Sequence, residues 1–395
     1  MRKVAIIGCA MTRFGRSRSG LLDMMCESSL GALRHARIGD RPVDAVVVAN
    51  MGGSRLNRQT AIASALVDRL NLFPAMAESV ENGPASGASA FKNGYLAVAA
   101  GLADIVLVTG AEEMRVVDNL EATDFVASMT HPVAEYIYGA TLPALAGLFA
   151  RLYMARYGVT AEHLAMVAVK NHTNALGNPY AHIQQPITLE GILHSPDAVV
   201  NNPLVADPLR LFDCCPVSDG AASLVLCPLE MAREFAEVPV QVAGIGQATD
   251  THALHERAEP TELTAVTLAA EKAFARAGLS PADIHVAELH DAFTILEIAE
   301  SEAAGFFPKG QGHKALSKGV TALTGKLPIN PSGGLKARGH PVGATGVAQL
   351  VELTWQLRGE AGKRQVRDAK AGFACNFGGF GNNVVATVLT RGGKG

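Results

Sequence analysis

Three side chains sit where their type and setting could do chemistry. His340 is the only histidine in Asn330-Pro-Ser-Gly-Gly-Leu-Lys-Ala-Arg-Gly-His-Pro-Val-Gly-Ala-Thr-Gly346, a run with five glycines and two prolines. So few side chains leave the imidazole little freedom, and the glycines would let a ligand approach the backbone. A helix expected over Val347 to Leu357 would aim its free N–H groups back at that loop, favouring negative charge near His340. His290 lies in Glu288-Leu-His-Asp-Ala-Phe-Thr294, at the end of an expected strand, where a crevice-facing group suits catalysis. Cys375 stands among polar and glycine residues in Ala374-Cys-Asn-Phe-Gly-Gly-Phe-Gly-Asn-Asn383. A free cysteine is usually a small buried hydrophobe, but these neighbours favour a working thiol.

The elements that must hold these groups emerge when the chain is compared with itself. Ala36-Arg-Ile-Gly-Asp-Arg-Pro-Val-Asp44 recurs as Ala275-Arg-Ala-Gly-Leu-Ser-Pro-Ala-Asp283, identical at five of nine positions, and each copy precedes an apolar run. Val4-Ala-Ile-Ile-Gly8 is echoed by Val242-Ala-Gly-Ile-Gly246. Each unit reads as strand, helix, Gly/Pro turn, strand, the pattern of a right-handed crossover in a helix-covered sheet. Two such units imply a duplicated α/β architecture, with halves at 1–235 and 236–395. The first half is longer by a partly helical insertion near 115–205, between strands expected at Ile105 to Thr109 and Ala222 to Leu226.

Composition excludes several classes. With 395 residues, 48% hydrophobic and 18% charged, the chain can bury a large core. A formal charge of −3 gives no basic field for nucleic acid or an anionic membrane. No apolar run approaches the roughly 20 residues of a membrane span, and Met1 to Gly8 reads as a buried strand rather than a signal-peptide core, so a cytoplasmic protein is expected. The six cysteines show neither paired spacing nor CxxC, which argues against a disulfide framework and a zinc site.

Gly339-His-Pro-Val-Gly-Ala-Thr-Gly346 resembles the histidine loop of the thiolase superfamily. His290-Asp291 is similar to the form found in its sterol-carrier-protein-linked branch, Cys375 falls in what resembles the C-terminal cysteine loop, and Asp213 to Ala222 resembles a family segment that is mostly structural. The resemblance spans nearly the whole chain. It implies a duplicated five-layer α/β fold with two buried central helices, following Pro84 and Gly346, and an inserted loop domain. It also implies coenzyme A as a substrate with no tightly bound cofactor and no metal, and His290 and His340 as donors to a thioester oxygen. Cys375 would be the thiol that takes and returns an α-carbon proton, with Gly339, Gly343 and Gly378 in the loops around the CoA thioester. Tyr136, Tyr138, Leu145, Phe149 and Tyr153 of the insertion are expected to line an acyl pocket, or else to be plain core.

One position departs from the family. In Val80-Glu-Asn-Gly-Pro-Ala-Ser-Gly-Ala-Ser-Ala90 the acyl-accepting cysteine should fall at Pro84, which has no nucleophile but suits a helix's first turn. Ser86 and Ser89 are nearby, yet both are expected to bond back to the backbone, and Phe377 replaces a glycine common in the cysteine loop. The leading expectation is a 3-oxoacyl-CoA C-acyltransferase with an unusual nucleophile, similar to the benzoylsuccinyl-CoA thiolase type of aromatic degradation. A retro-aldol lyase on a β-hydroxyacyl-CoA, which needs no nucleophile, and a silent scaffold subunit are the alternatives. The resemblance also implies a homodimer paired through the first-half sheet edge, and a small zinc-binding OB-fold subunit that closes the site.

Overall fold

The computed structural model describes residues 1–392. Its main elements are β1 Val4–Met11, α1 Leu21–Ala36, β2 Ala45–Ala49, α2 Ile62–Leu70, β3 Met76–Val80, α3 Ser86–Ala100 and β4 Val106–Glu112. A long excursion follows with α4 Asn119–Ala127, α5 Leu142–Tyr157 and α6 Ala161–Ala175, before β5 Gly220–Pro228. The second half holds β6 Val240–Thr249, α7 Thr264–Ala277, β7 Val286–Glu288, α8 Thr294–Ala303, α9 Val342–Arg358, β8 Ala371–Gly378 and β9 Asn383–Arg391. Among these residues no helix is long and apolar enough to cross a membrane.

Strand order displays the duplication. From the centre outward the first half runs β1, β5, β4, β2, β3 and the second runs β6, β9, β8, β7. In each half the first three strands are antiparallel and the next pairing is parallel. A parallel bridge from Ala287 to Ile329 stands where the second half would have its counterpart of β3. β1 and β6 pair at Ala5–Gln241 and Ile6–Val240, so the two halves share one nine-stranded sheet.

The layering follows from strands that are apolar on both faces, as sheets covered by helices on both sides require. Ile7, Val46, Val48 and Leu107 face outward onto Met25 of α1 and Leu66 of α2. Their neighbours Ile6, Val47, Val106 and Val108 face inward onto α3 and α9, which Val242, Ala374 and Val385 cover from the second half. Phe373, Ala386 and Val388 then face α7, α8 and the excursion helix α5. Helices, the first-half strands, the central helix pair, the second-half strands and helices again make five layers, with the one sheet supplying both strand layers. The glycines of the echoed strands serve this packing: a Cβ on Gly8 would stand 2.4 Å from the Ala32 carbonyl of α1, and one on Gly246 would stand 1.9 Å from the Ala269 carbonyl of α7.

Helix α9 starts at Val342, five residues earlier than expected, and is buried from there to Leu357. Helix α3 is buried through Phe91 but emerges further on, leaving Leu96 44% exposed. The excursion's aromatics take the bland role. Leu145, Phe149 and Tyr153 are core residues that stack toward the second half, while Tyr138 is 78% exposed.

Candidate active site

A pocket opens where the ends of both halves meet the excursion. Its lining combines Pro84, His290, His340, Cys214, Cys215 and Phe377 with an apolar set that includes Met114, Val126, Met129, Leu142, Leu296 and Phe380. His290 and His340 stand edge to face with ring centres 4.9 Å apart, and Phe377 stacks flat on His290 at 5.4 Å. The expected pair of histidines is therefore assembled, in a pocket that Pro84 also lines.

Buried charge holds the two loops. Arg338, fully buried, pairs with Glu288 at 3.0 Å, and Ser332 donates to the same carboxylate. Asp291 accepts from the Leu335 amide at 2.7 Å and from Asn171. Glu112 accepts from Gly52, Met51 and Gly343, tying the start of α9 to the end of β4. Burial pushes Glu112, Glu288 and Asp291 up to about 7. The amide at the start of α9 is thus spent on a protein carboxyl, not held open for substrate. The family-like segment at Asp213 is structural: the Cys215 amide donates to Ala292 O at 2.9 Å, and Thr294 donates to Asp213 at 2.8 Å, pinning the His290 loop.

Gly339, Gly343 and Gly378 make room for protein, not ligand. A Cβ on each would come within 2.7 Å of Ser218 Oγ, 2.6 Å of Ala111 O and 2.9 Å of Asn82 O respectively. None of the three lines the pocket, whereas Gly379 does. Gly87 and Gly346 serve the α3–α9 crossing in the same way, since a Cβ on Gly87 would lie 2.8 Å from Gly346 N. The glycine-rich histidine loop thus lets two central helices touch backbone to backbone, and that contact positions His340.

Cys375 departs from its expected setting. It is fully buried, does not line the pocket, and faces Glu300 beneath the His290 loop. Desolvation and that carboxyl push its thiol well above the ordinary cysteine value, so it is a protonated group walled off from the cavity. Cys214 and Cys215 do reach the pocket, but burial pushes both up to about 12, leaving them poor nucleophiles. Ser86 donates to Gly83 O at 2.6 Å and accepts from the Asn82 amide, and Ser89 accepts from Asn82 Nδ2 at 2.9 Å, so both hydroxyls serve the turn before α3.

The histidines' own hydrogen bonds, which sequence reasoning missed, set what the pocket can do. Thr345 donates its hydroxyl hydrogen to Pro341 O at 2.9 Å and must therefore accept from His340 Nδ1–H at 2.7 Å. Asn376 accepts the Ala88 amide on its carbonyl oxygen, so the group it turns to His290 Nδ1, 3.1 Å away, is its NH2, which can only donate. Burial, with the positive charge of Arg338, lowers His340 to about 3 and drives His290 well below the usual histidine value. Both rings are neutral, with opposite tautomers. His290 presents Nε2–H, a donor, and His340 presents a bare Nε2, a base. Thr345 stood in the quoted histidine loop and Asn376 beside Cys375, but neither has a spacing signal of its own.

Residues 4–230 match the family model described as Thiolase, N-terminal domain, and residues 246–391 the one described as Thiolase C-terminal domain-like. The chain is 44% identical over 392 residues to an acetyl-CoA acetyltransferase of Methanothermobacter thermautotrophicus, covering 99% of this chain and 100% of that one. It is 34% identical over 371 residues to the benzoylsuccinyl-CoA thiolase subunit BbsB of Thauera aromatica, covering 92% of this chain and 91% of that one. Among solved structures, the Ltp2-ChsH2(DUF35) aldolase superposes with a TM-score of 0.86 at 28% identity, over 99% of this chain and 98% of that one. Two matched domains, a duplicated sheet and a paired-histidine pocket at their junction make this chain a member of the thiolase family and a thiolase-like enzyme of acyl-CoA chemistry.

Proposed function

We propose that the enzyme makes or breaks the Cα–Cβ bond of a CoA thioester through a thioester enolate, without acylating itself. The observation that carries this reading is the pair of opposed tautomers facing a pocket that is also lined by Pro84, which has no nucleophile. The reaction completed by these groups alone is retro-aldol cleavage of a β-hydroxyacyl-CoA. His340 Nε2 takes the hydroxyl proton, the Cα–Cβ bond breaks to give an aldehyde or ketone, and the released electron pair becomes a thioester enolate. His290 Nε2–H donates to the enolate oxygen, and the imidazolium of His340 returns its proton to the α-carbon. Cys375 is a second candidate for that return, but it would have to reach past the His290 loop.

A second reading keeps CoA-dependent thiolysis of a 3-oxoacyl-CoA, favoured by the likeness to a protein named acetyl-CoA acetyltransferase. His340 would then deprotonate CoA itself, and both CoA chains would have to be bound at once. Incubation with a β-hydroxyacyl-CoA should release a carbonyl product with no added CoA, and His340→Ala should abolish that release while preserving the fold. A covalent acyl adduct on the chain, seen by mass spectrometry, would overturn the acyl-enzyme-free reading.

Two assembly features belong to the same proposal. β3 is an edge strand, with Met76 49% and Phe73 62% exposed beside it, which supports pairing through the first-half sheet edge. Helix α4 lines the pocket with Val126 while Leu120 is 82% exposed, so a second subunit covering α4 would close the cavity and exclude water. The DUF35 component of the similar Ltp2-ChsH2(DUF35) aldolase supports a partner of that kind.

A further inference from the structure

The nine-stranded sheet is nearly split where its halves join. β1 and β6 pair only at Ala5–Gln241 and Ile6–Val240, while β9 follows the other side of β6 from Val240 to Thr249. From Val242 onward the side of β6 turned away from β9 therefore has no neighbouring strand, and it forms one wall of a groove. Lys92, Tyr95 and Leu96 of α3 and Lys272 and Arg276 of α7 line the same groove, which shares no residue with the histidine pocket.

Its charge is of one sign. Arg2, Lys3, Lys92, Lys272 and Arg276 line it, and among the described residues no Asp or Glu does. Arg2 pairs with Asp104 at 2.6 Å. The other cations spend what bonds they make on neutral groups: Lys92 donates to Gln247 Oε1 at 2.6 Å, Lys272 to Gln247 O at 3.0 Å, and Arg276 to Ile245 O. In a chain of formal charge −3, such a cluster makes a local field that attracts anions.

The two backbone contacts add a spacing. A strand residue turns its N–H and its C=O to the same neighbour, so Ile245 and Gln247 present amides as well as carbonyls to the groove. They stand two residues apart, about 6.6 Å along the strand, and Lys272 and Arg276, one helical turn apart on α7, are separated by about 5–6 Å. An extended segment laid along β6 carries alternate side chains at nearly that interval. Carboxylates at every second position would meet Lys272 and Arg276 in turn and draw them off the two carbonyls, which the segment's own amides then fill. A second copy of the groove would instead set like charges against each other, the means by which lysines keep sheet edges from pairing with themselves.

We infer that the open edge of β6 is a docking site for an extended acidic segment of another protein, with Asp or Glu at alternate positions, added to the sheet as a further strand. Fluorescence anisotropy on the full-length protein tests it, with a labelled peptide alternating Glu and Thr as the probe. That peptide should bind at least ~10-fold tighter than one of the same composition with its glutamates in a block, and than the alternating peptide N-methylated along one edge, because main-chain bonds supply the affinity and alternate side chains the specificity. Lys272→Glu combined with Arg276→Glu should weaken binding at least ~10-fold with the melting temperature unchanged, since reversal turns two attractions into repulsions. Lys3→Glu, at an exposed position, should weaken it about threefold and carries no folding risk. Equal binding of the blocked or N-methylated peptide would mean only a diffuse cationic field, tripolyphosphate bound as tightly as the peptide would mean a small-anion site, and tighter binding of single-stranded DNA would mean a nucleic-acid site. Each of these overturns the inference, as does failure of the alternating peptide to bind. A changed oligomeric state in the double variant, read by sedimentation, would also overturn it by marking the groove as a contact between copies.

Discussion

Replacing Asn376 by Asp tests the division of labour between the histidines most directly. In the native site the amide donates to His290 Nδ1 at 3.1 Å, and its orientation is fixed because its oxygen accepts from Ala88 at 3.3 Å. A carboxylate of nearly the same shape offers only acceptors, so it would draw the proton to Nδ1 and leave Nε2 bare. The enolate then loses its donor, a loss that typically costs about 10²- to 10³-fold in turnover. A buried anion beside the ring also raises its pKa from the strongly lowered native value. Below that raised pKa the imidazolium carries N–H on both nitrogens, so the variant should regain activity as pH falls and lose it as pH rises through the new pKa. The native enzyme, with His290 neutral across this range, should show no such limb. Asn376→Leu removes the donor without supplying an acceptor, and should cost less and add no acid-side recovery. Nitrogen-15 NMR of labelled histidine reads the tautomer with no substrate present: native Nδ1 unprotonated, Asn376→Asp Nδ1 protonated. If the introduced carboxyl stays neutral and donates to Nδ1, or if turnover falls less than about tenfold with an unchanged pH profile, Asn376 is not what keeps His290 a donor.

Other outcomes follow from the same geometry. Pro84→Cys places a thiol in the pocket that His340 lines, and should give an enzyme that a 3-oxoacyl-CoA acylates at position 84, detected as a mass increment in the peptide containing it. Cys375→Ser should leave α-proton exchange of a bound acyl-CoA within about threefold of native, because the thiol does not line the pocket; loss of exchange would put Cys375 on the proton path. His340, lowered to about 3 against an ordinary value of 6.5, stays neutral in the fold while the unfolded chain takes up a proton below 6.5, so its contribution is complete above that pH and drains away on acidification. The unfolding free energy of the native enzyme relative to His340→Gln should therefore fall between pH 6.5 and 4.5, by up to about 1.4 kcal/mol per pH unit, as read from denaturant titrations. Glu112, Glu288 and Asp291 titrate in the opposite sense, but they are common to both proteins and cancel in the comparison.

What the sequence disclosed was set by periodicity and repetition. Duplication was legible because each half must lay a helix across a strand whose glycine has no Cβ, and Gly8 and Gly246 repeat that requirement in the letters themselves. The position of His340 was legible because a glycine-dense run is rare, though its reason was hidden: the space at Gly343 and Gly346 is filled by Ala111, Asn376 and Ala88, residues far away along the chain. The setting of Cys375 was hidden for a related reason. Its neighbours in sequence are polar and glycine, but a strand sends alternate side chains to opposite faces. Asn376 therefore reaches the His290 ring and Ala88, while Cys375 turns to Glu300 and the core of the second half. The apolar wall was equally illegible, since Met114, Val126 and Leu142 carry no pattern that separates a pocket from a core.

Pro84 gains its meaning from the geometry around it. Gly83 adopts φ of 53°, Ser86 closes the turn onto Gly83 O, and α3 starts at Ser86 and crosses α9 at Gly87. Pro84 fits a turn whose two following amides bond to Asn82 O and Gly83 O, so a proline there breaks neither of those bonds. A decayed site would be expected to lose its costly features first, and the costliest here are the neutral buried histidines and the fully buried Arg338–Glu288 pair behind them. Both are present, along with the two hydrogen bonds that set opposite tautomers. A base and an oxyanion donor beside Pro84, which gives them nothing to activate at that position, favour chemistry in which the substrate supplies both ends of the bond that breaks.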